Sequence, residues 1–506
     1  MRQTPEFRSG AEVRFFQLSV RLTRMGNERA ARPSISFTNA SVRGGRRRWL
    51  WTLAVAAIAL ASASNVVATK AWGQAIHSDN PAPSGQTYLT GDWGGLRSYL
   101  ERNGITLTLT DTTDLLANVS GGIKTGAVGL GAVQPQLDLD LQKLAGWQGG
   151  LLHVHGLVTY GPLFSANYLG NILAVSNIEA GPMARLYAFW YEQNGSNDLW
   201  SVRVGLMLAD SQFLQSKTAA NFINNGISWP DFLAANLPAS GPAYPLPAPG
   251  VRVRVKPRDD MQLQAAVFSG DPSGGNGSNQ PAPLPTGTVF SFSGGAFFIA
   301  EASYLPNQGT DPRGLPGAYR IGAWYHTSAR FADQRFDDNG LSLANPQSTG
   351  IPLEHAGDGG VYGVIDQMLY RVPGTTDQGL SGFVRAGGVP NDRNLINFYA
   401  DGGLLYKGLV PHRPNDKIGI ATAVARVGDN ARGFDADVGF FSGNPFFPVR
   451  SSEAVIELMY QAQLKPLWML QPDLQYVINP GGGVLNSDGS LRRNALVIGV
   501  RSFINF

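Results

Sequence analysis

The chain has 506 residues, of which only 15% are charged, and it contains 62 glycines, 32 prolines and no cysteine. The lack of cysteine excludes a disulfide scaffold, a thiolate nucleophile and cysteine-ligated metal sites. The formal charge of +3 is unevenly distributed, because residues 1–48 hold eleven Arg and three Glu, whereas residues 76–506 hold 28 basic and 34 acidic side chains. This mildly acidic main part of the chain argues against nucleic acid as a partner.

The N-terminus has the pattern of a secretory signal. Three consecutive Arg at 46–48 precede an apolar stretch at 49–61 that is too short to span a bilayer comfortably. Sites with the small-x-small cleavage pattern follow at 61–63 and 73–75, and the polar residues after the second site favour cleavage there. We therefore predict that residues 1–75 are an N-terminal extension and signal peptide that is removed; the alternative is a short membrane anchor.

Residues 76–104 are predicted to be a periplasmic leader that ends in a short amphipathic helix. Asp92 suits the N-cap of that helix, and Leu96 and Leu100 lie four residues apart on one face. We expect the helix to pack partly at the mouth of the fold that follows, with Trp93 and Leu96 as anchors.

From residue 105 onward, the pattern is one of alternating strands and turns. The stretch 105–110 alternates cleanly. The stretch 136–142 places three Leu on one face and two Asp on the other, and 251–256 places three Val opposite three cations. This two-residue period is typical of β-strands with one apolar face. Glycine-, proline- and asparagine-rich stretches are predicted to be outer loops, and they lie at 236–250, 270–288, 305–317 and 332–359.

The last twelve residues, 495–506, alternate in the same way and end in Phe506. Their length suits a tilted strand that crosses a membrane, although the last strand of a soluble sandwich is the alternative. No apolar run after residue 75 is long enough for a transmembrane helix, so a membrane-spanning chain must close its backbone hydrogen bonds in a barrel. We predict an all-β fold: a transmembrane antiparallel β-barrel of about 16 strands over residues 105–506, with a short N-terminal helical segment.

An ordered set of segments resembles the carbohydrate-selective porin family (OprB-type). The segments begin with the Gly-Asp-Trp-Gly-Gly-Leu-Arg stretch and continue to the C-terminus, at 89–104, 137–150, 185–193, 203–206, 222–225, 244–252, 360–370, 453–460 and 471–481. The resemblance runs from about residue 85 to residue 506. It implies a 16-stranded outer-membrane channel that passes monosaccharides.

Sugar passage needs no covalent chemistry, only a wet constriction with hydrogen-bonding groups, aromatic faces and charges that exclude other solutes. The polar faces of the predicted strands supply candidate pore-lining residues: Asp138, Asp140, His153, Arg203, Arg252, Arg254, Glu453, Glu457, Asp473, Gln475 and Arg501. For each of them the alternative is a wall residue that braces the barrel without touching a solute. His153 and His155 share a face, but two His without a third ligand are ordinary wall residues. We predict no catalytic residue, cofactor or metal.

The sequence thus predicts a porin in the outer membrane of a Gram-negative bacterium that allows passive diffusion of glucose-like monosaccharides into the periplasm. The expected partners are small sugars, outer-membrane lipid and the barrel-assembly machinery, which would bind the C-terminal strand ending at Phe506. No nucleic acid is expected, and the protein is expected to be a monomer or a homotrimer.

A porin for other small solutes or organic anions is the first alternative. Arg252 and Arg254 would favour anions at a constriction, whereas Asp138, Asp140, Glu453 and Glu457 would oppose them. An outer-membrane barrel enzyme is less favoured, because neither a Gly-x-Ser-x-Gly nor a His-Glu-x-x-His motif is present. An active transporter would need a larger N-terminal plug domain than residues 76–104 can form.

Overall fold

Sixteen antiparallel strands close into a barrel, as the sequence predicts. The computed structural model describes residues 89–274, 286–308, 314–328 and 330–506. The predicted signal peptide and cleavage site, together with residues 76–88 of the leader, lie outside the described residues.

The barrel consists of β1–β9 and β12–β18, and a separate two-stranded sheet consists of β10 and β11. The strands are β1 (Ile105–Gly122), β2 (Gly126–Asp140), β3 (Gly150–Tyr160), β4 (Met183–Asn194), β5 (Trp200–Met207), β6 (Ala248–Arg258), β7 (Met261–Ser269), β8 (Ala296–Tyr304), β9 (Gly317–His326), β10 (Phe331–Asp337), β11 (Pro352–His355), β12 (Asp358–Arg371), β13 (Gly379–Gly388), β14 (Ile396–Lys407), β15 (Lys417–Val427), β16 (Ser452–Lys465), β17 (Trp468–Ile478) and β18 (Arg493–Asn505). The first strand is much longer than the predicted 105–110.

The helices are short and lie in the connections between strands or before β1. They are α1 (Leu96–Arg102), α2 (Leu141–Ala145), α3 (Asn225–Ser228), α4 (Asp231–Ala234) and α5 (Asp429–Phe441). Within the described ranges, no helix combines the length and the apolar character needed to cross a membrane.

The predicted N-terminal helix is present as α1, preceded by a 3₁₀ turn at Trp93–Gly95. Asp92 accepts hydrogen bonds from the backbone N–H and the hydroxyl of Ser98, both at 2.8 Å. The expected anchoring role of Leu96 is wrong, because its side chain is 51% exposed. The buried residue of α1 is instead Arg97, whose guanidinium makes a cation–π contact 4.4 Å from the centre of the Trp93 ring.

The strands point apolar side chains outward and polar ones inward, the reverse of a soluble protein. In β6, Val251, Val253 and Val255 are exposed on the outer face, while Arg252 and Arg254 are buried inside. Because the side-chain period of a strand is two, this arrangement follows directly from the alternation in the sequence. The last strand, β18, pairs with both β17 and β1 and so closes the barrel.

The connections at the two ends of the barrel differ in length. At the end that carries α1, several turns are very short, such as 259–260 and 466–467. At the opposite end the connections include 208–247, 327–357 and 428–451. The predicted loop at 332–359 contains β10 and β11, so it has more regular structure than its composition indicates.

Two of the connections fold into the barrel: residues 161–182, here called the first inner segment, and residues 208–247, the second inner segment. Their apolar side chains, among them Leu173 and Phe222, are buried in one cluster with inward-facing wall residues. Phe222 packs on Phe383 of β13, and Phe232 on Tyr399 of β14, with ring centres 6.0 and 6.4 Å apart. The prediction that 236–250 is an outer loop is therefore wrong.

Candidate permeation pathway

The second inner segment is attached to the wall by acidic side chains that accept its backbone hydrogen bonds. Glu457 of β16 accepts the N–H groups of Ile223 and Asn224 at 2.7 and 3.0 Å. Glu301 of β8 accepts the N–H of Leu214 at 3.0 Å. Each carboxylate replaces water around backbone groups that would otherwise be buried without a partner.

A further attachment lies on β12. Asp366 accepts the hydroxyl of Ser216 at 2.5 Å and both the N–H and the hydroxyl of Thr218 at 2.8 Å. Lys217 lies between these two anchored residues and is exposed. The segment is thus held on β8, β12 and β16, which are spread around the wall, so it crosses the lumen.

The second inner segment is also held by wall side chains that donate hydrogen bonds to its backbone carbonyl oxygens. Arg385 of β13 donates to the carbonyl oxygen of Leu214 at 3.2 Å and to that of Ile227 while pairing with Asp401. Gln471 of β17 donates to the carbonyl oxygen of Asn221 at 3.0 Å. These side chains donate to backbone carbonyl groups of the segment and so fix it to β13 and β17.

The first inner segment is held in a similar way. Glu453 of β16 accepts the N–H groups of Ile172 and Leu173, both at 2.7 Å. The Ser176 hydroxyl donates to Asp114 of β1 at 2.7 Å. Asp114 in turn binds Arg501 of β18 through two bonds of 2.6 and 2.7 Å.

Burial raises the pKa of three carboxyl groups in the inner segments. It raises the pKa of Glu179 to about 7, although hydrogen bonds from Ser165 oppose the shift. It also raises the pKa of Asp210 to about 7 against a hydrogen bond from the backbone of Tyr244. The pKa of Asp231 lies well above its ordinary value, because of burial and the nearby carboxylate of Glu453.

A basic patch lies on the opposite part of the wall, on β4, β5 and β6. Glu192, Arg203 and Arg252 occupy directly paired positions on these strands. Glu192 binds Arg203 at 2.5 Å and Arg252 at 2.7 Å, and the Arg203 guanidinium lies 3.6 Å from the centre of the Trp190 ring. Arg254 pairs with Asp198 at 2.9 Å near the end that carries α1.

Next to this patch is an aromatic group on β3 and β4. The Asp138 carboxylate accepts a 2.7 Å hydrogen bond from Nδ1 of His153, and the His153 ring stacks on Trp190 with ring centres 4.6 Å apart. His155 packs edge-on against Tyr187 at 4.8 Å. In the part of the chain that the structure describes, no group of three His, Asp or Glu side chains could hold a metal ion.

Of the eleven predicted pore-lining residues, ten lie on inward faces of barrel strands. Asp140 lies at the rim instead, where it caps α2 by accepting the N–H groups of Gln142 and Lys143 at 3.0 and 3.2 Å. Asp473 and Gln475 contact each other at 2.9 Å. Contact of any of the eleven with a solute stays a prediction.

The sequence argument missed several residues that hold the inner segments, namely Asp114, Glu301, Asp366, Arg385, Tyr399 and Asp401. Apolar and polar residues alternate around Glu301 and Asp366, so the sequence carried a usable signal for their place on the inner face. Asp114 lies in the part of β1 beyond the predicted end at residue 110.

Comparison with known proteins identifies the family. The model of the carbohydrate-selective porin family, OprB, matches residues 124–506. Porin B of Pseudomonas aeruginosa is 27% identical over 455 residues, which cover 85% of this chain and 93% of that protein. A putative porin, QuiX, of Acinetobacter baylyi is 25% identical over 427 residues, covering 78% of this chain and 89% of the relative.

The fold agrees with a solved structure of the same family. The high-pH structure of OprB from Pseudomonas putida superposes with a TM-score of 0.74 at 25% identity, covering 84% of this chain and all of that chain. Family and fold are those of outer-membrane channels and not of enzymes. This chain therefore belongs to the carbohydrate-selective porin family.

Proposed function

We propose that this porin is a passive channel that admits glucose-like monosaccharides to the periplasm of a Gram-negative bacterium. The observation that carries the proposal is the second inner segment, which crosses the lumen and is fastened to β8, β12 and β16 by carboxylates. A segment fixed in this way narrows the pore to a size set by the fold, which suits a small uncharged solute better than a bulky one.

The chemistry of the lumen suits sugars. A sugar offers hydroxyl groups around its edge and apolar C–H groups on its faces. Inward-facing Asp, Glu, Gln and Arg side chains provide partners for the hydroxyls. Of the candidate pore-lining residues, Glu453, Glu457 and Gln475 are 0% exposed and Arg252 and Arg501 are 1% exposed, so these five brace the wall. The other candidates belong to this proposal as groups that a permeating sugar would meet.

The orientation follows from the lengths of the connections. Outer-membrane barrels have short periplasmic turns and longer extracellular loops. We therefore assign the end with turns 259–260 and 466–467 to the periplasm, together with α1 and both ends of the barrel domain. The long connection 428–451 and the sheet of β10 and β11 then face the exterior.

The remaining partners are also part of the proposal. The outward valines of β6 and the other exposed apolar side chains of the wall would contact outer-membrane lipid. The barrel-assembly machinery would recognise β18 and the terminal Phe506, whose N–H donates to the carbonyl oxygen of Leu109 at 2.9 Å. The oligomeric state is proposed to be a monomer or a homotrimer.

Liposome swelling with the purified chain, refolded without residues 1–75, tests the function. Glucose should enter quickly and a disaccharide much more slowly, while liposomes with heat-denatured protein should not swell. If entry rates depend on solute size alone, the protein is a general porin without selectivity for sugars. A folded barrel that admits neither sugar would contradict the proposal.

A further inference from the structure

Asp111 is an acidic side chain on the outer face of the barrel, where the wall would contact lipid. In β1 it shares this face with Leu115 and Val119, which are exposed. Its neighbours Thr110 and Thr112 are buried on the inner face. In the barrel strands that the structure describes, every other Asp, Glu, Lys, Arg or His of an outward face lies within two residues of a strand end. Asp111 is therefore an exception that needs a physical reason.

The pairing of the strands places Asp111 near the middle of the membrane. It lies opposite Ile504 of β18 and Val133 of β2. The same row of paired residues reaches Trp468 at the start of β17 on one side and Val158 near the end of β3 on the other. Because barrel strands are tilted, such a row rises from one rim to the other, and its central residue lies at mid-depth. Hydrocarbon at that depth offers no hydrogen-bond donor to a carboxyl group.

Four other side chains of the outer face surround Asp111. The Thr113 hydroxyl donates to Oδ2 of Asp111 at 3.2 Å, and the Tyr160 hydroxyl of β3 lies 2.6 Å from the Thr113 hydroxyl. Ser502 of β18 is paired directly with Thr113, and its hydroxyl accepts the indole N–H of Trp468 at 3.1 Å. We call these five residues, Asp111, Thr113, Tyr160, Trp468 and Ser502, the outer polar patch.

The outer polar patch leaves one acceptor and one donor unused. Oδ1 of Asp111 makes no hydrogen bond with any residue that the structure describes, and the hydroxyl hydrogen of Ser502 has no acceptor there. Polar groups inside a membrane are costly unless they are paired. A surface that offers both an acceptor and a donor is complementary to a second copy of itself, whereas lipid tails offer neither.

The wall around the patch is flat enough for another barrel to approach closely. The Tyr160 ring crosses β2 at Gly131 to reach Thr113 on β1, and a Cβ on Gly131 would lie 2.3 Å from the Tyr160 hydroxyl oxygen. Gly129 of the same face also lacks a side chain. In membranes, small residues let two protein surfaces pack closely.

We propose that the outer polar patch is the surface at which copies of this chain associate, which favours the homotrimer over the monomer. In a closed ring, the Ser502 hydroxyl of each copy donates to Asp111 of the next, so none of these groups is left in lipid. The inference rests on the proposed function only in that the barrel spans the outer membrane, because every copy keeps its own lumen.

Cysteine cross-linking in outer membranes tests the contact, because the natural chain has no cysteine. Leu115→Cys places a single thiol beside the patch without changing its polar groups, and a short bis-maleimide should then join two copies on a denaturing gel. The matched control is Ile321→Cys, on the exposed face of β9 at the opposite side of the barrel, which should stay monomeric. Labelling with a lipid-soluble monomaleimide shows that both thiols react. Equal cross-linking of the two variants, or none of Leu115→Cys, would overturn the inference.

Substitution of Asp111 tests the role of the patch in the Leu115→Cys background. Asp111→Leu removes a hydrogen-bonded acid from each contact and should lower the cross-linked fraction roughly tenfold. Asp111→Asn keeps an acceptor oxygen and should retain most of it. The control Thr422→Leu removes a polar group from the outer face of β15 and should change nothing. A heat-modifiable gel shift shows that each variant is folded. An unchanged fraction in folded Asp111→Leu, with a raised urea midpoint, would show that Asp111 faces lipid.

Glucose entry into liposomes separates this inference from the proposed function. Since the lumen of each copy is its own, folded Asp111→Leu should admit glucose at the wild-type rate per chain. Failure of glucose entry in the wild type would defeat the proposed function and leave the cross-linking result standing. Normal glucose entry without cross-linking of Leu115→Cys would defeat only the association of copies through the outer polar patch.

Discussion

Asp114 and Arg501 join the first and last strands of the barrel as a buried, doubly hydrogen-bonded pair. Asp114→Asn would leave a buried guanidinium without its counter-charge, a loss that typically costs about 3–5 kcal/mol. We expect the urea midpoint of the refolded barrel, followed by tryptophan fluorescence, to fall accordingly. Replacing both residues, by Asn and Gln, should recover part of the loss.

The control for this pair is Asp259→Asn, which removes a carboxylate from the exposed turn between β6 and β7. It should change the midpoint very little, because exposed charges contribute little to stability. If the single and double substitutions at Asp114 and Arg501 matched this control, the pair would have no role in closing the barrel.

Which face a residue occupies could be predicted from the sequence, but what it touches could not. Alternation correctly placed Glu453, Glu457 and Arg252 on the inner face. Their partners are backbone N–H groups of distant connections, as in the bond between Glu457 and Ile223. Nearly every residue has a backbone N–H, so the sequence does not show which of these groups a given carboxylate binds.

Among the elements, the second inner segment is the one proposed to set the width of the pore. Glu457→Gln replaces a carboxylate that accepts two backbone N–H groups with an amide that has one acceptor oxygen. A charge-assisted hydrogen bond is worth about 1.5–3 kcal/mol, so the displaced state of the segment should become at least tenfold more populated. We expect faster disaccharide entry relative to glucose and noisier single-channel currents.

Glu354→Gln provides the control for this element, because Glu354 is exposed on β11, outside the barrel. It should leave both the sugar ratio and the current noise unchanged. An unaltered ratio in folded Glu457→Gln would show that the segment is held without Glu457 and that Glu301 and Asp366 suffice.

The position of the second inner segment inside the barrel could be predicted only in part. Its C-terminal part is rich in glycine and proline, which led to the incorrect prediction of an outer loop at 236–250. The earlier part contains Phe213, Phe222, Trp229 and Phe232, all nearly fully buried. So many large apolar residues in one connection indicate burial, but the strand period that reveals a barrel carries no information about its lumen.

At the level of the whole molecule, the strand count was predictable because length and topology are linked in a barrel. Both termini of the barrel domain lie at one end, which requires an even number of antiparallel strands. The closure itself is a contact between residues almost four hundred positions apart, such as Asp114 and Arg501. Pairing between residues so far apart in sequence carries a large loop-closure entropy, so we expect β18 to pair with β1 late in folding.

This late closure separates the stability of the barrel from its assembly, and Phe506 tests the difference. Its N–H bond to Leu109 is a single bond, worth about 1 kcal/mol, so deletion of Phe506 should hardly change the urea midpoint or glucose entry of refolded protein. If the assembly machinery recognises the terminal residue, deletion of Phe506 should lower the amount of folded barrel in the outer membrane of cells severalfold. Phe506→Tyr, which keeps an aromatic end, should restore it. Equal amounts of the deletion variant and the wild type in the membrane would show that recognition lies elsewhere in β18.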